Sequence, residues 1–219
     1  MIKGIIFDFD GLIFDTETLQ YQVINEIFQE NGSELPLSRW QEEIGTHTGF
    51  MPFQYLEKQI NRKVNQQELE RKFNDHFQAK LAVEKARPGV EDYLKEAEQL
   101  NLKIGLASSS NFKWVSNHLK QLNLYEYFQC IKTSDDVEFV KPDPALYVKA
   151  AQCLGLKAEE CLVFEDSANG ALAAKKAGMH CVVVPNDVTR AMDFCKVEHK
   201  LTSMADVSLK ELLGIVDIR

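Results

Sequence analysis

Short runs of apolar residues alternate along the chain with longer segments of helical periodicity. The runs are continuously apolar rather than alternately apolar and polar, which is typical of parallel strands covered on both faces. They occupy residues 5–7, 103–107, 161–164 and 181–184. Apolar residues at helical spacing predict helices over residues 90–100, 112–122, 145–154 and 168–177. This alternation predicts an α/β fold with a doubly wound parallel sheet of the Rossmann-like type.

One segment, residues 16–83, breaks the alternation. It holds no strand-like run, and its pattern predicts four helices, over residues 19–30, 37–44, 52–60 and 66–81. Such a segment is too long for the crossover of one β-α-β unit, because those connections are usually short. We therefore predict two domains, an α/β core formed by residues 1–15 and 84–219 and an inserted four-helix cap formed by residues 16–83.

Length and charge narrow the classes of protein. The chain has 219 residues, with 25 Lys and Arg against 33 Asp and Glu, so its net charge is −8. An acidic chain does not collect nucleic acid or anionic lipid through bulk charge, so we expect neither as a partner. The apolar run near the N-terminus is too short for a signal peptide, and no run approaches the roughly 18 apolar residues of a membrane span. We expect a cytoplasmic protein.

The cysteines and histidines show no metal-binding spacing. The chain has five cysteines, an odd number without a C-x-x-C pair, at Cys130, Cys153, Cys161, Cys181 and Cys195. Most lie in apolar stretches, which predicts buried free thiols in a reducing compartment. The five histidines lack H-x-H and H-E-x-x-H spacing, which argues against a zinc site.

Polar residues stand at the ends of three strand-like runs, where a parallel sheet binds ligands. Asp8 and Asp10 follow the first run, Ser108 follows the second, and Glu165 and Asp166 end the third. Two close carboxylates repel each other, and a divalent cation relieves the repulsion. Mg²⁺ binds carboxylates, water and phosphate oxygens. Asp-x-Asp alone could simply start a turn, but the set of strand-end residues together predicts a site for Mg²⁺ and phosphate.

Two further polar positions are ambiguous when taken singly. Lys141, directly before Pro142, could be an ordinary surface lysine, and Ser108 could be only a helix cap. A serine between a strand and a helix can also bond a phosphoryl oxygen while the helix amides face the same anion. The two roles of Ser108 are therefore compatible.

These residues together carry a family resemblance. In chain order, Asp8-Phe9-Asp10-Gly11, Ser108, Lys141-Pro142 and Phe164-Glu165-Asp166-Ser167 with Gly170 resemble the four motifs of the haloacid dehalogenase superfamily. The resemblance covers nearly the whole chain, and the helical insert resembles the four-helix cap subclass. Asp15-Thr16-Glu17 and Glu165-Asp166-Ser167 resemble the β-phosphoglucomutase-like and sugar-phosphatase branch.

The resemblance implies a Mg²⁺-dependent phosphatase that hydrolyses a small soluble phosphomonoester, such as a sugar phosphate. Asp8 is implied as the nucleophile that becomes an aspartyl phosphate, and Asp10 as the acid and base for the leaving alcohol and the attacking water. Lys141 is implied to hold Asp8, and Ser108 to bind a phosphoryl oxygen. The implied Mg²⁺ ligands are Asp8, the carbonyl of Asp10, Asp166 and Glu165.

Substrate contacts are expected on both sides of the site. Glycines flank the loop Gly45-Thr46-His47-Thr48-Gly49, which lets it approach the core, and its threonine and histidine side chains can bond a sugar hydroxyl. An ordinary helix–helix turn is the open alternative. The predicted substrate-binding residues are Gly11, Ser109, Thr46 and His47. For Trp40 and Trp114 we expect packing alone.

Two other functions compete with hydrolysis. β-Phosphoglucomutases resemble one another in a histidine five residues after the position of Asp15, where this chain has Gln20. This difference favours a hydrolase and leaves a phosphosugar mutase as the alternative. A signalling receiver also gathers carboxylates and a lysine at a sheet edge, but it needs neither the helical insert nor Asp10. Dehalogenases of the family lack the second aspartate of the first motif, which this chain has as Asp10. Its presence favours phosphoryl transfer over dehalogenation. We expect a small phosphorylated metabolite as the partner of a monomer.

Overall fold

The computed structural model describes residues 1–46 and 48–216, which form a six-stranded sheet flanked by helices. The strands are β1 Gly4–Phe7, β2 Lys103–Ala107, β3 Cys130–Lys132, β4 Cys161–Glu165, β5 His180–Val183 and β6 His199–Lys200. All neighbours pair in parallel, in the order β3-β2-β1-β4-β5-β6. The predicted α/β fold with a doubly wound parallel sheet is confirmed. The four predicted strands are β1, β2, β4 and β5, whereas the short β3 and β6 were not predicted.

The helices follow the apolar spacing closely. They are α1 Thr16–Glu30, α2 Leu37–Gln41, α3 Pro52–Ile60, α4 Gln66–Leu81, α5 Val90–Gln99, α6 Phe112–Gln121, α7 Ala145–Leu154, α8 Ala168–Lys176 and α9 Leu209–Val216. Helix α1 begins three residues before its predicted start, because the Asp15 side chain caps it by accepting a hydrogen bond from Thr18 N (3.2 Å). Helix α2 is shorter than predicted, and α9 was not predicted. None of the helices in the described ranges is long and apolar enough to cross a membrane.

Strand β1 lies at the centre of the sheet and is buried on both faces. Successive side chains of a strand point to opposite faces, so Ile5 and Phe7 pack in one apolar cluster and Ile6 packs in the other. The continuous apolarity of this run therefore reflects helices on both sides of the sheet.

Helices α1 to α4 build an apolar cluster of their own within residues 16–83, the helical insert. Val23, Ile27 and Phe28 of α1 pack there with Leu56 of α3, and Val188 joins them from the core. The two chain segments that lead into and out of the insert pair with each other, since Phe14 bridges to Ala86. The division into a core and a cap at residues 15/16 and 83/84 stays a prediction.

The expectation of free thiols is wrong for two of the five cysteines. Cys130 of β3 and Cys153 of α7 form a disulfide with their Cα atoms 6.2 Å apart, whereas Cys161, Cys181 and Cys195 are free. The sequence could not indicate this pair, because its members are 23 positions apart and carry no pairing signal. The packing of α7 against β3 brings them together.

Candidate active site

The sheet order brings three of the predicted strand ends to one place. Central β1 pairs with β2 on one side and β4 on the other, so that Phe7 lies opposite Leu106 and Phe164 in the ladders. Residues directly after these strands therefore share one edge of the sheet. Asp8, Ser108 and Asp166 lie there and are buried.

Lys141 lies inside this edge rather than on the surface. Its side chain is 1% exposed, and its Nζ lies 2.5 Å from Asp8 Oδ1 and 2.7 Å from Glu165 Oε1. Burial alone lowers the pKa of an ammonium group, but the carboxylates of Asp8 and Glu165 outweigh it and raise the pKa of Lys141. The alternative of an ordinary surface lysine is wrong, because this lysine links two carboxyl groups.

The carboxyl group of Glu165 is held on both oxygens. Tyr147 OH of α7 donates to Oε1 at 2.5 Å, while Oε2 accepts hydrogen bonds from the backbone N of Asp166 (3.1 Å) and the backbone N and Oγ of Ser167 (3.2 and 3.1 Å). Gly170 of α8 lies against the same carboxyl group. Sequence reasoning missed Tyr147, whose position on the apolar face of α7 is that of a core residue.

Three carboxyl groups form a cluster next to Lys141. Each of Asp8, Glu165 and Asp166 offers one oxygen within 4.8 Å of the others. Asp166 Oδ2 accepts a hydrogen bond from Asn186 Nδ2 (2.8 Å), but within the described part of the chain its buried Oδ1 has no partner. A buried oxygen without a partner is costly, and a bound cation would satisfy it.

The charges of this cluster are unbalanced. Burial raises the pKa of Asp8 to about 8, against the influence of Lys141, and burial next to Glu165 and Asp8 raises the pKa of Asp166 well above its ordinary value. If all three carboxyl groups ionise, one lysine leaves two negative charges without compensation. Oxygen donors with this charge fit a hard divalent cation.

Asp10 is also at this edge, but its carboxyl group is bound by other partners. Oδ1 accepts hydrogen bonds from Thr16 Oγ1 (2.9 Å) and Trp114 Nε1 (2.8 Å). Oδ2 accepts from Ser110 Oγ (2.7 Å) and Ser108 Oγ (3.3 Å). The side chain of Asp10 therefore belongs to a hydrogen-bonded group beside the carboxylate cluster. The expectation of packing alone for Trp114 was incomplete, since its indole N–H also makes a polar contact.

A cavity of about 440 Å³ opens beside Asp10, between the core and the helical insert. Polar residues of the insert line it, namely Glu17, Gln20, Glu43, Thr46 and Thr48. Burial raises the pKa of the Glu17 carboxyl to about 8, and the negative charge of Asp10 adds to this effect. The cavity can hold a small molecule whose reacting end faces Asp10.

Of the predicted substrate-binding residues that the structure describes, Thr46 lines this cavity, whereas Ser109 and Gly11 lie outside its lining. Ser109 Oγ donates to the Gly45 carbonyl (3.1 Å), which links the core to the loop at residues 45–49. A Cβ at Gly45 would lie 2.7 Å from Ser167 Oγ, so this glycine does allow the loop to approach the core. The same expectation is wrong for Gly49, because a Cβ added there would meet no described atom within 4 Å. Its φ of +80° explains the glycine instead. His47 lies outside the described residues.

Gly11 lies directly after Asp10, against the carboxylate cluster. Its φ is +81°, and a Cβ there would lie 2.3 Å from Asp166 Oδ2. The Gly11 carbonyl accepts hydrogen bonds from Arg87 Nη1 (2.6 Å) and Asn186 Nδ2 (3.2 Å). Sequence reasoning missed Asn186, which follows β5 and joins the Gly11 turn to Asp166.

The chain is similar to known proteins over most of its length. Residues 5–184 match the model of the family described as haloacid dehalogenase-like hydrolase. The chain is 58% identical to the Bacillus subtilis (strain 168) protein named "Putative phosphatase YhcW" over 97% of both chains, and 29% identical to "Hexitol phosphatase B" of Escherichia coli (strain K12), also over 97% of both. The crystal structure of CbbY from Rhodobacter sphaeroides in complex with phosphate superposes with a TM-score of 0.74 at 27% identity, covering 99% of this chain and all of that one.

Proposed function

The chain belongs to the haloacid dehalogenase-like hydrolase family and is a phosphoric monoester hydrolase, and from this premise we propose that it hydrolyses small phosphomonoesters with Mg²⁺ through a phosphorylated Asp8. One observation carries the proposal. The buried cluster of Asp8, Glu165 and Asp166, with Lys141 bonded to it, lies beside an acid–base candidate, Asp10.

Magnesium fits the donor set of this site. The ion would be held by Asp8, Asp166 and the backbone carbonyl of Asp10, with Glu165 behind them. The unpartnered Asp166 Oδ1 would then become one of its ligands. When bound, Mg²⁺ supplies positive charge that offsets the charge of the phosphoryl oxygens. Lys141 adds positive charge at the same place and keeps the Asp8 carboxyl oriented for attack.

The residues of the chain then divide the reaction into two steps. Asp8 attacks phosphorus, the bond to the leaving oxygen breaks, and Asp10 gives its proton to the departing alcohol. Asp10, now a carboxylate, takes a proton from water, which attacks the phosphorus and releases inorganic phosphate and the Asp8 carboxylate. Ser108 is proposed to bind a phosphoryl oxygen in both steps.

The leaving group is proposed to be a polyol or a sugar in the cavity beside Asp10. Carboxylate, amide and hydroxyl groups of Glu17, Gln20, Thr46 and Thr48 line that cavity and suit an alcohol with several hydroxyl groups. The name of the Escherichia coli relative, hexitol phosphatase, agrees with this class. The helical insert is proposed to act as a cap that excludes water from this cavity.

The experiment is phosphate release from a panel of polyol and sugar phosphates, with and without Mg²⁺. Asp8→Asn is expected to abolish turnover, and a chelator is expected to abolish it reversibly in the unsubstituted chain. Asp187→Asn is the matched control, because this exposed carboxylate pairs only with Arg190 in the described residues. Turnover by Asp8→Asn, or turnover that needs no metal, would refute the mechanism. Isomerisation of β-glucose 1-phosphate faster than phosphate release would instead identify the mutase.

A further inference from the structure

Trp114 contacts the proposed acid–base residue directly. Its indole Nε1 donates a hydrogen bond to Asp10 Oδ1 over 2.8 Å. Trp114 lies in the first turn of α6, where its backbone N is bound by the capping side chain of Asn111 (2.9 Å). The backbone and the side chain of this tryptophan are thus both held at the edge of the cavity beside Asp10.

The indole differs in hydrogen-bonding capacity from the three hydroxyl groups that also contact Asp10 in the described part of the chain. The hydroxyl groups of Thr16, Ser108 and Ser110 can donate or accept, whereas an indole N–H only donates. As long as Trp114 keeps its contact, Asp10 Oδ1 has to accept. A proton on the Asp10 carboxyl group therefore resides on Oδ2.

Oδ2 is the oxygen on the side of the proposed phosphate position. It is bonded to Ser110 Oγ (2.7 Å) and lies 3.3 Å from Ser108 Oγ, the proposed phosphoryl contact. Both are hydroxyl groups, which can rotate to accept a proton from Oδ2 when it is protonated. The orientation imposed by Trp114 thus directs the proton of Asp10 toward the reacting phosphate ester.

Aromatic neighbours keep the indole ring from turning away. Phe77 of α4 stacks on it with ring centroids 6.2 Å apart and planes at 14°, and His118 packs edge-on at 4.3 Å. Phe77 in turn stacks on Phe73, which lines the same cavity. The position of the indole N–H is consequently set by α6 of the core together with α4 of the helical insert.

We propose that Trp114 is a positioning residue, which acts through Asp10 by fixing the orientation of its carboxyl group for proton transfer to the leaving alcohol. This inference rests on the proposed acid–base role of Asp10. Trp114 itself neither gives nor takes the proton. Its contribution is largest when the leaving oxygen is strongly basic, because such a leaving group depends most on the acid.

The test compares phenyl phosphate with p-nitrophenyl phosphate, two esters of similar shape, of which the second has the less basic leaving group. Trp114→Phe removes the N–H and keeps an aromatic ring between Phe77 and His118. With Mg²⁺ present, we expect kcat/KM for phenyl phosphate to fall at least about tenfold and that for p-nitrophenyl phosphate to fall less than about threefold. The control is Trp40→Phe, the same change at an indole that lines the same cavity but whose N–H has no partner in the described chain. This variant can lower both values together, but it should leave their ratio unaltered.

Equal losses on both esters in Trp114→Phe, or no loss, would overturn the proposal, since a packing role predicts no dependence on the leaving group. Asp10→Asn separates this failure from failure of the proposed function. If Asp10→Asn also affects both esters equally, Asp10 is not the acid. If the loss of kcat/KM in Asp10→Asn depends on the leaving group and the loss in Trp114→Phe does not, only the role of Trp114 is refuted.

A measurement without turnover completes the test. The indole N–H proton resonance of Trp114, identified by its loss in Trp114→Phe, is expected to shift upfield in Asp10→Asn, because a neutral amide oxygen is a weaker acceptor than a carboxylate. An unmoved resonance would show that the contact does not exist in solution and would overturn the proposal.

Discussion

Gly170 of α8 and the carboxyl group of Glu165 lie so close that no side chain fits between them. A Cβ at residue 170 would lie 1.8 Å from Glu165 Oε1 and 2.2 Å from Oε2. The close approach is possible because Ser167 caps α8 directly after β4 and bonds the same carboxyl group. The position of Glu165, and through it of Lys141, therefore depends on glycine at this place.

Gly170→Ala is expected to displace Glu165 and to impair both stability and activity. Overpacking of a buried site costs about 1–3 kcal/mol of unfolding free energy, and kcat should fall because Lys141 loses its alignment with Asp8. Urea unfolding and steady-state rates measure the two effects. The matched control is Gly214→Ala in α9, where a Cβ has 4 Å of open space and where alanine should preserve or raise stability. Equal behaviour of the two variants would contradict the prediction.

Removal of the buried ammonium group of Lys141 should greatly lower both stability and activity. In Lys141→Met, the carboxyl groups of Asp8 and Glu165 lose the ammonium group between them, and loss of one partner of a buried pair costs about 3–5 kcal/mol. We expect a lower denaturation midpoint and no measurable phosphate release. The exposed pair of Lys95 with Glu91 supplies the control, since Lys95→Met should change neither quantity appreciably. A Lys141→Met protein with full stability would contradict the described network.

Stability without metal should fall as the pH rises. The pKa of Asp8 in the folded protein, about 8, lies above its ordinary value of 3.8, and that of Asp166 is raised as well. The folded state therefore binds this proton more tightly than the unfolded chain does. The stabilisation that the bound proton supplies is complete below the pKa of the unfolded chain, and it is lost as the pH rises through the pKa of the folded protein. With EDTA, unfolding free energy should fall from about pH 5 to about pH 8, by up to about 1.4 kcal/mol per pH unit for each such proton.

Magnesium should reverse this trend, because it binds the ionised carboxylates. We expect the increase in melting temperature on addition of Mg²⁺ to be larger at about pH 8 than at about pH 5. Asp8→Asn, which cannot ionise, should show a shallower pH dependence in EDTA and a smaller effect of Mg²⁺. A rise in stability with pH in EDTA would contradict the raised pKa values.

The disulfide between Cys130 and Cys153 lowers the number of cysteines that can react with a thiol reagent. Protein prepared without reductant and then denatured should react with a thiol reagent at three cysteines, and with reductant at all five. Reduction should lower the unfolding free energy by about 3 kcal/mol for a loop of this length. Cys195→Ser is the control, because it removes one free thiol and should leave the effect of reduction intact. Five reactive thiols before reduction would show that the bond is not formed.

The sequence by itself determined the α/β fold and which polar side chains follow the strand ends. Continuous apolar runs predicted β1, β2, β4 and β5, because burial on both faces leaves no polar position in a strand. Asp8, Ser108 and Asp166 were predicted to meet because the carboxyl ends of parallel strands share one edge of a sheet. Elements of two or three residues, such as β6 and β3, carry too little pattern to be predicted.

Only the tertiary structure decided which side chains touch. Trp114 and Asp10 are 104 residues apart, Asn186 and Asp166 are 20 apart, and Tyr147 reaches Glu165 from the apolar face of a helix. Periodicity reports which face of an element is buried, but not which group on another element it will meet. That choice depends on how the sheet, α6 and the helical insert pack together, and it is this packing that sets the orientation of Asp10.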